Sequence, residues 1–401
     1  MSTGKLSFWV SGLIVMALLT LAPAADEEPI DLERAHALIQ KQRQGETLTD
    51  QEQQYLRRAM EARRAARRQQ EGGPQAPRGK TPTGLVPLCD MGKDDKYNGQ
   101  DGGLYGVGRN DPPADHAAAA RRQLRRIQPL DPEGKPSPGG KIVLLSIGMS
   151  NTRMEFSAFG DLARKDPARS AKVVVVNAAI GGMDVVAWAK SRATRWGTAW
   201  EGAERRLKEA GATPRQVQVL WLKQAKMGPA SWGEFPAHAR KLADGMATIL
   251  NMAKERYPNL QIAYLSSRIY AGYANTALNP EPYAYESAFS VRWLIQEQIS
   301  GDPNLNYEPS KGPVKCPLLL WGPYLWADGT TPRKSDDLVW LRDDLAADGT
   351  HPSDKSGTLK VGRMLLEFFQ TDPLARTWYL RPEVLKTMQE ASEKTVRAGP
   401  S

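Results

Sequence analysis

Ser150 follows an apolar run, in the string Gly148-Met149-Ser150-Asn151-Thr152, and His351 stands three residues after Asp348. These are the side chains of acyl transfer. A hydroxyl is a weak nucleophile until a base takes its proton, and histidine suits that task near neutral pH. The imidazole in turn needs a carboxylate on its other nitrogen to fix its tautomer and orientation. A tetrahedral intermediate needs donors already aimed at its negative oxygen. Three candidates for those donors are the backbone N–H of Ser150, where a helix begins, Gly182, which has no side chain to bar approach, and the amide of Gln224. Of the four histidines, only His351 has an aspartate at that offset. His36 has Glu33 there, within an arginine-rich arm, while His116 and His238 have Pro113 and Phe235. No His-x-x-x-His pair occurs, which disfavours zinc, and Asp161, Asp343 and Asp344 lack calcium-loop spacing. The expectation is chemistry without metal or other cofactor.

Something must bring residues so far apart in the chain together. From residue 140 onward, apolar runs of strand length alternate with helical patterns. Strands are expected over 142–147, 173–176, 217–222, 262–265 and 318–321, and helices over 155–164, 199–210, 237–256, 284–299 and 354–369, with Ser353 as the N-cap of the last. Strands alternating with helices imply a parallel sheet covered on both faces, an α/β three-layer sandwich. In such sheets ligands bind beyond the carboxyl ends of the strands. Ser150 follows strand one, Asn177-Ala178-Ala179-Ile180-Gly181-Gly182 follows strand two, Lys223-Gln224 follows strand three, and Asp348 and His351 come after strand five. All are expected at one edge.

This arrangement resembles the SGNH (GDSL-like) hydrolase superfamily. Its first block, Gly-x-Ser, is matched by Gly148-Met149-Ser150. Its second, a glycine after strand two, is best matched by Gly182. Its last, Asp-x-x-His before the final helix, is matched by Asp348-Gly349-Thr350-His351. The resemblance covers roughly residues 140–370 and implies a flavodoxin-like sandwich with five parallel strands, serine hydrolase chemistry and no metal. The third block departs from the pattern. Its usual Gly-x-Asn is replaced by Lys223-Gln224-Ala225, so that Gln224, one methylene longer, falls on the place of the asparagine.

On the substrate side, Asn151, Lys223, Arg268, Tyr324 and Trp326 belong to the same edge. Aromatic faces stack on sugar rings, and Arg268 can hold a carboxylate or acyl oxygen. Together with the resemblance, this points to an esterase removing carboxylic acyl groups, acetyl foremost, from a small molecule or polysaccharide. The alternative is a carbohydrate- or surface-binding protein on the same scaffold without turnover.

The remaining chain reads as additions. Lys5, the apolar run 8–21 and Ala22-Pro23-Ala24 form a signal-peptide pattern over residues 1–24, with no second apolar stretch of spanning length. A secreted or periplasmic location is expected, with no membrane span after signal removal. Residues 26–71 read as an arginine-rich helical arm carrying Arg57, Arg58, Arg63, Arg64, Arg67 and Arg68, with Thr49-Asp50-Gln51-Glu52 as a capping box. A surface partner is expected for residues 30–70. A linker over 72–84, a loop-rich extension over 85–139, the main domain over 140–380 and a tail over 381–401 complete the division. The glycines between 99 and 108 lack the spacing of a phosphate loop, because Asp111 stands where the third glycine should be. The net charge of +9 suits anionic polysaccharide or plain solubility, and export disfavours nucleic acid. The two cysteines, Cys89 and Cys316, can pair or stay as thiols.

Overall fold

The computed structural model describes residues 34, 35, 37, 38, 41, 48–71, 82–191 and 197–397; the side chains of 61–71, 389 and 391–397 are not described. The signal-peptide pattern, most of the expected linker and most of the arm before residue 48 lie outside the described residues. The chain divides into two compact units, Met1–Arg63 and Arg64–Ser401. In the first, helix α1 (Asp50–Glu71) begins at the expected capping box. The Glu52 N–H donates to Thr49 Oγ1 (3.2 Å) and the Thr49 N–H to Glu52 Oε2 (2.9 Å). Ala35, Leu38, Leu48, Tyr55 and Ala59 form a small apolar cluster of their own there.

The second unit is built on five parallel strands: β1 (Ile142–Gly148), β2 (Val173–Asn177), β3 (Val217–Lys223), β4 (Ile262–Leu265) and β5 (Leu318–Trp321), in the order β2-β1-β3-β4-β5. This is the flavodoxin-like order, with its topological switch between β1 and β3. Every position of β1 and β3 is buried, as expected of strands covered on both faces. Helix α2 (Ala114–Leu124) precedes the sheet; α3 (Ser150–Lys165) follows β1; α4 (Val185–Ala189) and α5 (Ala199–Glu209) follow β2; α6 (Ala237–Arg256) follows β3; α7 (Tyr283–Ile299) follows β4; and α8 (Gly357–Thr371), α9 (Arg376–Tyr379) and α10 (Pro382–Arg397) close the chain. Helices α3 and α8 pack on one another, and α4, α6 and α7 form a second packed group. Right-handed crossovers put these two groups on opposite faces of the sheet. Phe156 of α3 stacks on Trp221 of β3, with ring centroids 5.4 Å apart and planes at 15°, and neither ring reaches solvent. Burying such side chains is worth about 1.5–3 kcal/mol each, which seats α3 on the strands it crosses.

The five expected strands and four of the expected helices agree with the structure to within a residue or two, apart from the start of α3. That helix begins at Ser150 instead of 155, because its first turn is polar and gives no apolar period. The last helix begins at Gly357, later than expected, and Ser353 lies outside it, although its Oγ accepts the Gly357 N–H at 3.2 Å. The extension read as loop-rich contains α2. Cys89 and Cys316 are free thiols, and no described helix is long and apolar enough to cross a membrane.

Between β4 and α7 lies a carboxylate whose titration should be visible. Glu281 accepts the N–H groups of Ala271 (2.9 Å) and Tyr285 (2.9 Å) and the indole N–H of Trp326 (2.8 Å). Burial nonetheless pushes its pKa up to about 7, against the pull of those donors and of Arg268. A carboxyl raised above its unfolded value contributes stability that is full below about 4.5 and lost as pH rises through about 7. Comparing urea midpoints at pH 5 and pH 8, the wild type should lose up to about 3 kcal/mol more than Glu281→Gln. An equal pH dependence in the two proteins would contradict the assignment.

Candidate active site

Ser150 opens α3 one residue past Met149, which leaves the strand end in an extended conformation (φ −104°, ψ −154°). Gly148 before it is paired with Lys223 of β3. A Cβ at Gly148 would fall 2.2 Å from Thr152 Oγ1 and 2.4 Å from the Lys223 carbonyl oxygen, so only glycine allows this approach of strand and helix. Thr152 Oγ1 donates to that same carbonyl at 2.7 Å. The loop after β2 is hooked to the end of β1, with the Ile180 N–H (3.0 Å) and the Trp188 indole N–H (3.3 Å) both donating to the Gly148 carbonyl. It is stitched to the loop after β3 as well, through the Val185 N–H on the Ala225 carbonyl (3.0 Å) and the Met227 N–H on Asp184 Oδ2 (3.2 Å). The segments after β1, β2 and β3 thus meet at one edge of the sheet.

The fourth segment arrives between β5 and α8. It is a tight turn around Gly349 (φ +66°), where a Cβ would collide with the Tyr273 carbonyl oxygen at 1.9 Å. The turn is wound on the Asp348 side chain. Oδ1 accepts the N–H groups of Thr350 (3.0 Å) and His351 (3.1 Å), while Oδ2 lies 2.5 Å from His351 Nδ1. On its other side the imidazole meets the serine, with His351 Nε2 2.7 Å from Ser150 Oγ. The His351 and Asp348 side chains are 24% and 29% exposed, so the chain of contacts lies open to small reactants.

Partial burial draws the Asp348 carboxyl upward, but the ring and backbone donors of His351 and the Thr350 N–H outweigh it, and its pKa settles below the usual carboxylate range. The anion fixes the Nδ1–H tautomer and leaves Nε2 of a neutral ring as the acceptor for the serine proton. Chemically, this arrangement can deprotonate a hydroxyl as it attacks and hand the proton to a leaving group.

The expected oxyanion donors divide. Ser150 opens a helix, whose first N–H groups have no partner within the helix. Both glycines after β2 are exposed; an ideal Cβ on Gly181 would come to 4.0 Å from Ser150 Cβ, whereas one on Gly182 would meet nothing within 4 Å. Gln224 is 2% exposed, and its Nε2 has no hydrogen-bond partner. A buried donor left unpaired in a folded protein is costly and calls for an explanation.

The five residues expected to touch substrate are not placed to do so. Lys223 is 1% exposed and its ammonium is spent on Glu155, with contacts of 2.6 and 2.5 Å to the two carboxylate oxygens. Asn151 (1% exposed) donates through Nδ2 to the Thr350 carbonyl at 3.0 Å, and Arg268 (2%) donates through Nη2 to the same oxygen at 3.2 Å. Tyr324 lies in the core with its hydroxyl accepting the Leu88 N–H, and Trp326 lies there with its indole N–H on Glu281. Lys223, Arg268, Tyr324 and Trp326 carry enough apolar surface to be drawn under the loops, where each finds a polar partner, although Arg268 Nε has none. Asn151 is held inside by its bond to the Thr350 carbonyl.

A second histidine–carboxylate pair escaped the sequence reading. His238 Nε2 lies 2.6 Å from Glu286 Oε2, and Tyr97 donates to Glu286 Oε1 at 2.6 Å. No fixed offset flags a pair 48 residues apart on two helices. Both residues are 3% exposed, which keeps reactants away. Among the described residues, no three His, Cys, Asp or Glu side chains converge as metal ligands do.

No family model matches this sequence, and no curated protein matches it either. Among solved structures, the chain is similar to a protein of Bacteroides fragilis NCTC 9343 that carries the provisional name acylhydrolase. The two are 13% identical with a TM-score of 0.34, over 67% of this chain and all of the other. At that level the likeness carries no argument about chemistry.

Proposed function

We propose that this protein is a serine hydrolase of carboxylic esters, of the SGNH type, with Ser150 as nucleophile, His351 as general base and acid, and Asp348 as the carboxylate that orients and balances the imidazole. The observation that carries the reading is the unbroken series Ser150 Oγ, His351 Nε2, His351 Nδ1, Asp348 Oδ2, with contacts of 2.7 and 2.5 Å at a half-exposed sheet edge. In the proposed sequence, His351 Nε2 takes the serine proton as Oγ attacks the ester carbonyl. The imidazolium then protonates the departing alcohol, and water repeats the exchange to free the acid. The Ser150 N–H and the glycine pair 181–182 are the proposed donors to the negative oxygen, and the buried, unpaired Gln224 amide joins them only if its side chain turns toward the site. Small acyl groups, acetyl foremost, are the proposed substrates, with a carbohydrate as their carrier, and export is the proposed setting. The carbohydrate part rests on the sequence resemblance, because Tyr324 and Trp326 are buried and offer no ring to a sugar.

The test is covalent. Exposure to a fluorophosphonate should leave one adduct on Ser150, located by peptide mass spectrometry, and p-nitrophenyl acetate hydrolysis should fall in proportion to labelling. Ester turnover that survives full labelling, or a protein that takes up no label, would sink the proposal.

A further inference from the structure

The carbonyl of Thr350 is one peptide away from the imidazole, and two buried side chains donate to it: Asn151 at 3.0 Å and Arg268 at 3.2 Å. Asn151 is the neighbour of Ser150 on α3, and Arg268 follows the end of β4. Thr350 is wholly buried. We propose that Arg268 and Asn151 are positioning residues, which grip the Thr350 carbonyl from the serine's own helix and from the sheet and so set the His351 imidazole against Ser150. The proposal rests on the hydrolase reading above and names residues that act on its base without touching a substrate.

The turn around them shows why this carbonyl matters. The Gly349 N–H donates to the Ala346 carbonyl, the Asp348 carbonyl accepts from the Asn275 N–H, and the His351 carbonyl accepts from the Ala346 N–H. Those contacts tie the turn to its own segment and to the loop after β4. The Thr350 carbonyl is where it is tied to the helix that carries Ser150. A guanidinium is an expensive group to bury, yet Arg268 is buried in the company of Glu155, Glu281 and Asp348, whose charges favour it. A charged donor on a carbonyl binds it more strongly than a neutral one of the same geometry. Proton transfer demands placement to within a fraction of an ångström, and a misplacement of about 1 Å can cost about a hundredfold in rate. Releasing the Thr350 carbonyl leaves the 348–351 turn held by its internal hydrogen bonds and by the loop after β4, with its backbone no longer tied to α3.

The variants are Asn151→Ala, Arg268→Met and the conservative Arg268→Lys. For p-nitrophenyl acetate, the first two should lose about 10–100-fold in kcat with KM within about threefold, and Arg268→Lys should regain part of the loss. The far-downfield proton NMR signal of the His351 Nδ1–H, held by Asp348, should be sharp in the wild type and in Arg268→Lys. It should be broadened in Asn151→Ala and Arg268→Met. Wild-type kcat together with an unchanged signal in both single losses would overturn the proposal. If Arg268→Met does not fold, Asn151→Ala decides alone. A wild type without esterase activity would sink the hydrolase reading, while the imidazole signal would still judge the grip on the turn.

Discussion

Substituting Ser150 by alanine should lower kcat for an activated acetyl ester by about a millionfold, and adding His351→Ala should cost almost nothing further. The reason is that the contacts run in series: Oγ to Nε2 at 2.7 Å, then Nδ1 to Asp348 at 2.5 Å. Once the hydroxyl is gone the imidazole has no proton to take, so its own removal has no step left to slow. Asp348→Asn should fall short of that loss, at about ten-thousandfold, because the shape survives while the ring tautomer is reversed. KM should move little in all three, since neither the hydroxyl nor the ring is needed to seat the ester. Steady-state kinetics on the two single variants and the double variant check this, with urea midpoints to show that folding is intact. Losses that multiply in the double variant would mean that the two side chains act independently, and the shared mechanism would fail.

The second large effect is on stability. Glu155→Ala should cost about 3–5 kcal/mol, because it leaves the Lys223 ammonium buried without its counter-charge. Burial holds the Lys223 pKa down at about 8 against the raising pull of Glu155, and the two side chains are 1% and 0% exposed. Replacing both partners by methionine should be nearly neutral, since the desolvation penalty then disappears with the attraction. Urea unfolding of the two proteins settles the point. A single substitution costing less than about 1 kcal/mol would show that Lys223 finds another partner or loses its proton freely.

How much of this was legible beforehand depended on whether the signal was local. The strands were, because apolar runs such as 173–176 have no other reading in an alternating pattern, whereas their order came only with the flavodoxin-like arrangement that the family resemblance implies. Asp348 and His351 were legible because their offset is fixed by one turn. The short helix at Val185–Ala189 was not, being too brief for a period; its only local mark is Asp184, whose Oδ1 accepts the Val186 and Ala187 N–H groups at 3.1 Å. The alanine run of α2 was a missed propensity signal. Lys223, Arg268 and Trp326 stand at the right edge of the sheet for contact with substrate, and sequence shows no more than that. Whether a long side chain at such an edge points out or in is decided by a partner far along the chain, Glu155 for Lys223 and Glu281 for Trp326, and no spacing rule announces it.

The hydroxyl and its imidazole are 201 positions apart. A polypeptide still emerging from the ribosome therefore adds 201 residues after the proposed nucleophile before the group that would arm it has been made. On the proposed mechanism, ester cleavage requires that the closing turn has docked on the layers that carry Ser150, so its onset during refolding would serve as a clock for that long-range contact.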